Sequence, residues 1–175
     1  LFSKNATRVQ LCLFDANGEN EKRIDLPRYT DEVWHGYIQG LKWGQRYAYR
    51  VYGPYDPEKG LRFNPNKLLL DPYAKKLTGP IIADNTQLGY NLKSPKLDLS
   101  FSKMDDAKFM PKCIVIDDKY FDWENVQKPR LDWSSEVIYE THVKGFTILN
   151  PEVEAAFRGT FRGLSSPKVI EYLKS

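Results

Sequence analysis

Apolar and polar residues alternate along the first part of the chain, with the period of two that is typical of half-buried β-strands. The alternation predicts strands at residues 8–14, 23–26, 33–38 and 45–52. In the last of these, Arg50 and Tyr52 share one face. Turn residues such as Asn17-Gly18 separate the runs, and no helical period lies between them. The pattern therefore predicts an antiparallel β-sandwich.

The middle of the chain loses this alternation. Asp71-Pro72 has the form of an N-cap followed by a first-turn proline, which predicts a short helix. Residues 79–110 are rich in Pro, Asn, Asp, Ser and Lys, with isolated apolar residues. That composition is typical of a long irregular connection over a surface. The run C-I-V-I within residues 112–117 predicts a short strand or an extended arm.

The last part of the chain changes character again. Residues 137–143 are apolar or aromatic at most positions, as expected for a strand that is covered on both faces. Ser166-Pro167 then predicts the start of a helix whose buried stripe is Val169, Ile170 and Leu173. A strand, a loop and a helix make one βα unit. We therefore expect a sandwich domain at 1–105, a linker at 106–136 and the βα unit at 137–175.

Charge and cysteine content argue against a nucleic-acid-binding, membrane or zinc-binding protein. The net charge of +3 is small and scattered, so neither nucleic acid nor a membrane is an expected partner. No apolar stretch approaches the ~20 residues that span a bilayer, and the first residues lack the features of a signal peptide. Cys12 and Cys113 are expected to be reduced and buried, and no Cys/His cluster has zinc spacing. We expect a cytoplasmic protein without a metal or other cofactor.

Several long motifs give the chain a family resemblance. They are Y-A-Y-R-V-Y-G-P-Y at 47–55, R-F-N-P-N-K-L-L-L-D-P-Y-A-K at 62–75, D-A-K-F-M-P-K-C-I-V-I-D at 106–117, F-D-W-E-N at 121–125, V-I-Y-E-T-H-V-K-G-F-T at 137–147 and R-G-T-F-R-G-L-S-S-P-K-V-I-E-Y-L-K at 158–174. Together they resemble the N-terminal part of bacterial glycogen debranching enzymes and isoamylases. These enzymes belong to the α-amylase superfamily, glycoside hydrolase family 13.

The resemblance implies an immunoglobulin-like sandwich classed as a carbohydrate-binding module, of family 48, followed by the first βα unit of a (β/α)8 barrel. In that family the barrel hydrolyses α-1,6 branch linkages of glycogen or limit dextrin with retention, which needs two carboxyl groups ~5 Å apart. The catalytic motifs lie on later barrel strands. We therefore expect this chain to be an N-terminal part without catalytic residues or activity of its own. Glu140 is expected to have a structural role.

Sugar binding requires an exposed aromatic face that stacks on the pyranose ring, with polar side chains for its hydroxyls. The candidates are Trp43, Arg50, Tyr52 and Tyr55. In related glycogen-binding domains, a Lys that contacts glycan occupies the position that Arg50 matches. Trp34 is a further candidate, but a core or interdomain position is the stronger interpretation of that residue.

Three functions stay compatible with these observations. The chain is expected to be the N-terminal part of a glycogen debranching hydrolase, a glucan-binding module, or a structural domain that supports a barrel and binds no glycan. Branching enzymes and trehalose-forming hydrolases are the alternative parents. The expected partner is an α-glucan such as glycogen or limit dextrin, and the pattern leaves the oligomeric state open.

Overall fold

The computed structural model describes residues 1–117, 119, 122–128 and 130–175. Contacts divide the chain into two units, Leu1–Asp122 and Trp123–Ser175, which are described separately below. Phe121, the first residue of the F-D-W-E-N motif, lies outside the described residues.

The first unit is built from short strands. They are β1 (Arg8–Phe14), β2 (Lys22–Asp25), β3 (Arg28–Thr30), β4 (Val33–His35), β5 (Arg46–Tyr52), β6 (Tyr55–Asp56), β7 (Leu61–Arg62) and β8 (Cys113–Ile114). Single turns of 3-10 helix occupy Pro57–Lys59, Asn85–Gln87 and Leu97–Leu99. The second unit contains a further 3-10 turn at Trp133–Ser135 and the helices α1 (Val143–Thr147), α2 (Phe161–Leu164) and α3 (Pro167–Lys174).

The main sheet has four antiparallel strands in the order β2-β1-β5-β8. β1 and β5 pair along their full length, from Arg8 opposite Tyr52 to Phe14 opposite Arg46. Two smaller antiparallel sheets are formed by β3 with β4 and by β6 with β7. This arrangement is consistent with a β-sandwich and confirms the predicted antiparallel character of the first unit.

Both faces of the main sheet are covered, which explains the composition of its strands. One face carries Val9, Leu11 and Val51, and Trp34 of β4 packs against this cluster. The opposite face has a second cluster made of Cys12, Phe14, Ala48 and Leu68, against which Ala107 and Met110 pack. The two cysteines are free and buried, as the sequence predicts.

Most predicted strands are confirmed, with shifted ends. β1 has the predicted bounds and β5 begins one residue later than predicted. β2 is shifted by one residue, and β4 ends at His35 rather than at residue 38. β3 was not predicted because its sequence, R-Y-T, is exposed throughout and has no apolar alternation.

The predicted helix at Asp71-Pro72 is wrong, because a turn replaces it. The Asp71 carboxylate accepts the backbone N–H of Tyr73 at 2.9 Å and the hydroxyl of Tyr47 at 2.8 Å. A carboxylate that binds the backbone two residues ahead stabilises an isolated turn, which offers the chain an alternative to a helix.

Residues 75–117 contribute to the first unit through specific contacts. β8 pairs with the start of β5, and an isolated bridge joins Leu77 to Cys113. The Asp106 carboxylate accepts the backbone N–H of Leu68 at 2.7 Å. The C-I-V-I run thus supplies an edge strand, in agreement with the predicted short strand.

The second unit differs from its prediction at residues 137–143. Residues 137–142 form neither strand nor helix, and α1 begins at Val143. The predicted strand is therefore wrong in this structure. A strand needs a neighbour for its backbone hydrogen bonds, and the described residues of this unit contain no other strand. The side chain of Val137 is consequently 92% exposed.

The helix predicted after Ser166-Pro167 is confirmed as α3. Val169 is buried, whereas Ile170 and Leu173 of the predicted stripe are 39% and 50% exposed. Of the predicted βα unit, the structure thus contains the helix alone, and the barrel remains a prediction.

Candidate functional site

A loop between β4 and β5, at residues 36–45, presents two aromatic side chains to solvent. Tyr37 is 88% exposed and Trp43 is 62% exposed. The loop reverses direction at Gly40 and Gly44, whose φ angles of +81° and +88° lie in the left-handed region that favours glycine. The exposed rings therefore belong to a turn-rich loop rather than to a strand.

The base of this loop is fixed by hydrogen bonds. The backbone N–H of Gly44 donates to the carbonyl of Val115 at 2.8 Å. The Gln45 side-chain amide donates to the carbonyl of Phe14 at 2.7 Å and to that of Arg46 at 3.0 Å. Trp43 is thus held next to an ordered segment, which reduces the conformational entropy that ligand binding would cost.

Exposed aromatic rings on an ordered loop can stack on the apolar face of a sugar ring. Trp43 was predicted as such a residue, and the structure places it in solvent as that role requires. Tyr37 was missed because it lies inside the strand that the pattern predicts at residues 33–38, whereas β4 ends at His35. The signal that could have identified it is Gly36, since a glycine after an apolar run marks the start of a loop.

Arg50, predicted as a hydrogen-bond donor to a sugar, is enclosed by other parts of the protein. Its side chain is 0% exposed. Its Nε and Nη2 atoms donate to the two carboxylate oxygens of Glu21 at 2.6 and 2.9 Å. Nη2 also donates to the carboxylate of Asp105 at 3.0 Å. Nη1 donates to the carbonyl of Pro65 at 2.8 Å. In this structure Arg50 is occupied within the fold and is not offered to a ligand.

The charges around Arg50 reinforce each other. Burial alone would raise the pKa of Glu21, but hydrogen bonds from Arg50, the Cys12 thiol and Arg23 lower it to about 2. Burial likewise would lower the pKa of Arg50, whereas its bonds with Glu21 and Asp105 raise it above its ordinary value. Both groups therefore stay charged and paired.

Burial also raises the pKa of the Cys12 thiol, to about 12. The thiolate is the reactive form of cysteine, so a pKa in this range keeps Cys12 unreactive near neutral pH. The cluster of Arg50, Glu21, Asp105 and Cys12 is accordingly a structural element and provides no nucleophile.

Tyr52 and Tyr55 are half-buried and already have partners. The guanidinium of Arg8 lies 3.8 Å from the centroid of the Tyr52 ring, and the Tyr52 hydroxyl donates to Gln10 at 2.9 Å. The Tyr55 hydroxyl donates to the carbonyl of Ser100. Its ring meets Phe101 edge-on with the centroids 4.8 Å apart. Each ring thus has one side engaged within the protein.

Trp34 occupies the core position that its alternative interpretation predicts. Its indole N–H donates to the carbonyl of Ser3 at 3.1 Å, and its ring lies 5.0 Å from that of Tyr29, centroid to centroid. Among the sequence-predicted candidates, Trp43 is therefore the residue that the structure leaves open to a ligand.

No group of His, Cys, Asp and Glu suited to holding a metal ion occurs among the described residues. Over the same residues, no helix has the length and apolar character needed to cross a membrane.

Residues 1–74 match the family model of carbohydrate-binding module 48, the isoamylase N-terminal domain. The matched part contains β1 to β7 and the whole loop at residues 36–45. The match supports an N-terminal carbohydrate-binding domain of the kind that accompanies α-glucan-active enzymes of the α-amylase family. Residues 75–117 lie outside the matched part, although they complete the main sheet through β8.

Proposed function

We propose that the first unit binds α-glucan through the loop at residues 36–45, with Trp43 as the main stacking residue and Tyr37 as the second. The observation that carries the proposal is the 62% exposure of Trp43 on a loop whose base is fixed by hydrogen bonds, within the part of the chain that matches a carbohydrate-binding module.

The proposed ligand is a glucan chain such as glycogen or limit dextrin. An aromatic ring stacks on the flat apolar face of a pyranose ring. Neutral glucose polymers present this face, so the interaction requires no charged group on the ligand. Two rings on one loop would allow contact with more than one glucose unit. We expect individual contacts to be weak and binding to a polymer to be reinforced by the many chain ends of the same molecule.

Affinity electrophoresis in a gel that contains glycogen tests this proposal. The unchanged chain should migrate more slowly than in a glycogen-free gel. Trp43→Ala should lower the affinity at least about fivefold, as expected for the loss of ~1 kcal/mol of stacking. Tyr73→Ala is the matched control, because Tyr73 is 83% exposed but lies outside the loop.

The experiment has two contrary outcomes. Equal retardation of the Trp43→Ala and Tyr73→Ala variants would show that glycan binds elsewhere. Absence of retardation for the unchanged chain would contradict glucan binding by this unit.

The second candidate function is a structural domain that supports a catalytic barrel and binds no glycan. It is favoured by the internal partners of Arg50, Tyr52 and Tyr55, which leave little of the predicted polar surface available. Under this alternative, the unchanged chain migrates identically with and without glycogen.

We also propose that the domain belongs to a glycogen debranching enzyme, which hydrolyses α-1,6 linkages. The support is the resemblance of the motifs at 106–117, 137–147 and 158–174 to such enzymes. No residue of this chain is assigned as nucleophile or general acid, so the 175 residues alone should release no reducing sugar from limit dextrin.

The parent activity can be tested by expressing the full reading frame that contains these residues and supplying glycogen limit dextrin. A debranching enzyme should release new reducing ends and linear chains. Transfer of chains without a net increase in reducing ends would instead indicate a branching enzyme. Formation of free trehalose from glucans that already end in trehalose would indicate the trehalose-forming class.

A further inference from the structure

A second concave surface of the first unit lies on the charged side of the main sheet. It is a groove of about 630 Å³ between the hairpin turn at residues 17–21, the segment 78–82 and the segment 107–112, with Arg46 at its base. Neither Tyr37 nor Trp43 is among its lining residues. A volume of this size lies within the range of small-molecule sites.

Two cationic side chains, those of Arg46 and Lys112, lie beside Gly18 at one end of this groove. A Cβ atom placed on Gly18 would lie 3.3 Å from Nη1 of Arg46 and 3.9 Å from Cγ of Lys112. Both side chains therefore run past the same glycine of the hairpin. Gly18 has a φ of +84° and carries no side chain, so the Arg46 guanidinium can lie against the hairpin backbone at this point.

Arg46 is half-buried, and its guanidinium forms no hydrogen bond or ion pair with another described residue. None of its side-chain nitrogen atoms is among the fully buried ones that lack a partner, so solvent reaches all its N–H donors. Arg50, two residues further along the same strand, has its donors occupied by Glu21, Asp105 and Pro65. The difference identifies Arg46 as a donor available to a ligand.

Lys112 adds a second, more deeply buried charge. It is 5% exposed, and its ammonium donates to the carbonyls of Ala107 and Met110 at 2.5 and 2.6 Å. The carbonyls bind its protons but do not neutralise its charge. Burial lowers the pKa of Lys112, and the nearby charge of Arg46 lowers it further against the opposing effect of acidic neighbours. An anion bound to Arg46 would offset this repulsion.

The carboxylates along the groove do not cancel its positive charge. Glu21 is already engaged by Arg50 and Arg23, at 2.6 and 2.9 Å. Glu19 is the other lining carboxylate, and it is exposed on the hairpin. Against these, Lys108 contributes a third cation to the lining.

We propose that this groove binds a phosphomonoester of a hexose, with the phosphate on the guanidinium of Arg46 and with Lys112 as a neighbouring buried charge. An arginine fork matches two phosphate oxygens, and a partly desolvated site strengthens both charge-assisted bonds. A bare phosphate would fill only a small part of the groove. The hairpin residues Asn17 and Glu19 on its remaining wall can form hydrogen bonds with hydroxyl groups. Ile82 and Phe109 on the same wall can pack against the apolar face of a pyranose ring.

The segments that carry these apolar side chains are joined to each other. The backbone N–H of Ile82 donates to the carbonyl of Phe109 at 3.2 Å. The groove thus has a wall that both segments share, and the ligand does not have to bring them together. The phosphomonoester could be a free hexose phosphate or a phosphate ester on a glucan chain, since both have the same chemistry at this site.

NMR titration of the ¹⁵N-labelled chain with glucose 6-phosphate tests the proposal. The amide resonances of Gly18 and Gly79, which line the groove, should shift during the titration. Arg46→Gln should weaken binding at least about tenfold, because it removes charge-assisted hydrogen bonds. Arg28→Gln is the matched control: it removes an exposed guanidinium on β3, outside the groove, and should change the affinity less than about twofold.

Neutral glucose at the same concentration should leave these resonances unchanged. Equal losses in Arg46→Gln and Arg28→Gln, or no shift with glucose 6-phosphate, would overturn the proposal. Inorganic phosphate that binds as tightly as glucose 6-phosphate would overturn the assignment of a hexose. Phosphorylated amylopectin, compared with the same polymer after phosphatase treatment, shows whether a chain-borne ester also enters the groove.

The result is separable from the proposed glucan binding. Trp43→Ala should leave the titration with glucose 6-phosphate unchanged, and Arg46→Gln should leave retardation by unphosphorylated glycogen unchanged. Loss of both activities in either single variant would contradict two distinct sites.

Discussion

The loop at residues 36–45 leaves its aromatic side chains in solvent, whereas β5, the strand that follows it, encloses the charged side chain of Arg50 within the fold. Trp43 is 62% exposed and Arg50 is 0% exposed, although only seven positions separate them in the sequence. Around its two turn glycines the loop borders open space, because a Cβ atom on Gly40 or Gly44 would meet no atom within 4 Å. β5 lies between β1 and β8, and residues 102–112 supply partners on its polar face.

The comparison shows that a polar residue on a strand is not necessarily a surface residue. Arg50 belongs to a face that carries Cys12 and Ala48, which are fully buried. Its charge is retained there because two carboxylates and a carbonyl satisfy its donors, as buried charges require. A ligand-binding role for this position would require those partners to move.

Replacing Arg50 should have the largest effect on stability. Arg50→Met leaves Glu21 and Asp105 without their main partner in a partly buried site, and we expect a loss of about 3–5 kcal/mol in the free energy of unfolding. Urea denaturation followed by circular dichroism measures this change. Arg28→Gln should stay within about 0.5 kcal/mol of the unchanged chain. A loss below about 1 kcal/mol for Arg50→Met would mean that the cluster contributes little.

The second-largest effect on stability is expected from acidification, which should weaken the ion pairs between Glu21 and Arg50. The pKa of Glu21 is lowered from 4.5 to about 2, because hydrogen bonds from Arg50, Cys12 and Arg23 outweigh the effect of burial. A depressed pKa in the folded state contributes stability that is fully present above the unfolded value and is lost as the pH falls towards 2. Urea midpoints measured from pH 6 to pH 2 should therefore fall less steeply in Glu21→Gln than in the unchanged chain.

Glu58→Gln provides the comparison for this titration, because Glu58 lies in an exposed 3-10 turn. Its midpoints should follow those of the unchanged chain. Identical slopes in all three proteins would contradict the assignment of acid sensitivity to Glu21.

A smaller effect on stability is expected at Tyr52, whose burial is intermediate between that of Arg50 and that of Trp43. Tyr52→Phe keeps the ring and its contact with Arg8 but removes the hydrogen bond to Gln10. We expect a loss of about 0.5–1.5 kcal/mol in the free energy of unfolding, as for a typical hydrogen bond. An increase in stability on thermal unfolding would show that this hydroxyl is better satisfied by water.

Trp43→Ala should have the smallest effect on stability, within about 0.5 kcal/mol, because the ring makes little contact with the fold. The same substitution should lower glycogen affinity, so function and stability separate at this position. Thermal unfolding of the variant measures the first quantity. A loss above about 2 kcal/mol would show that Trp43 has a packing role and would remove the contrast with Arg50.

Local patterns predicted the strands well where alternation was strong. β1 has its predicted bounds because Val9, Leu11 and Leu13 alternate with polar or small residues. The same reasoning failed at residues 137–143, where the apolar run lacks strand neighbours within its unit. A strand depends on partners elsewhere in the chain, and a sequence pattern reports only one side of that pairing.

The candidate site was predictable in part for the same reason. Exposure of Trp43 follows from the glycine beside it and from the turn that this glycine allows. Burial of Arg50 depends on Glu21 and Asp105, which lie 29 and 55 positions away in the sequence. The free guanidinium of Arg46 likewise depends on where the hairpin at Gly18 folds. None of these distances has a signature in a local pattern.

β8 covers part of the outer edge of β5, although it is only two residues long. It pairs with Arg46 and Tyr47, and the backbone of Leu69 exchanges two hydrogen bonds of 2.8 Å with Tyr49 on the same side of β5. These contacts occupy the outer edge of β5, where an open row of N–H and C=O groups would otherwise invite a strand from a second molecule. β8, which lies beyond the matched residues 1–74, thus helps to prevent edge-to-edge aggregation of the main sheet.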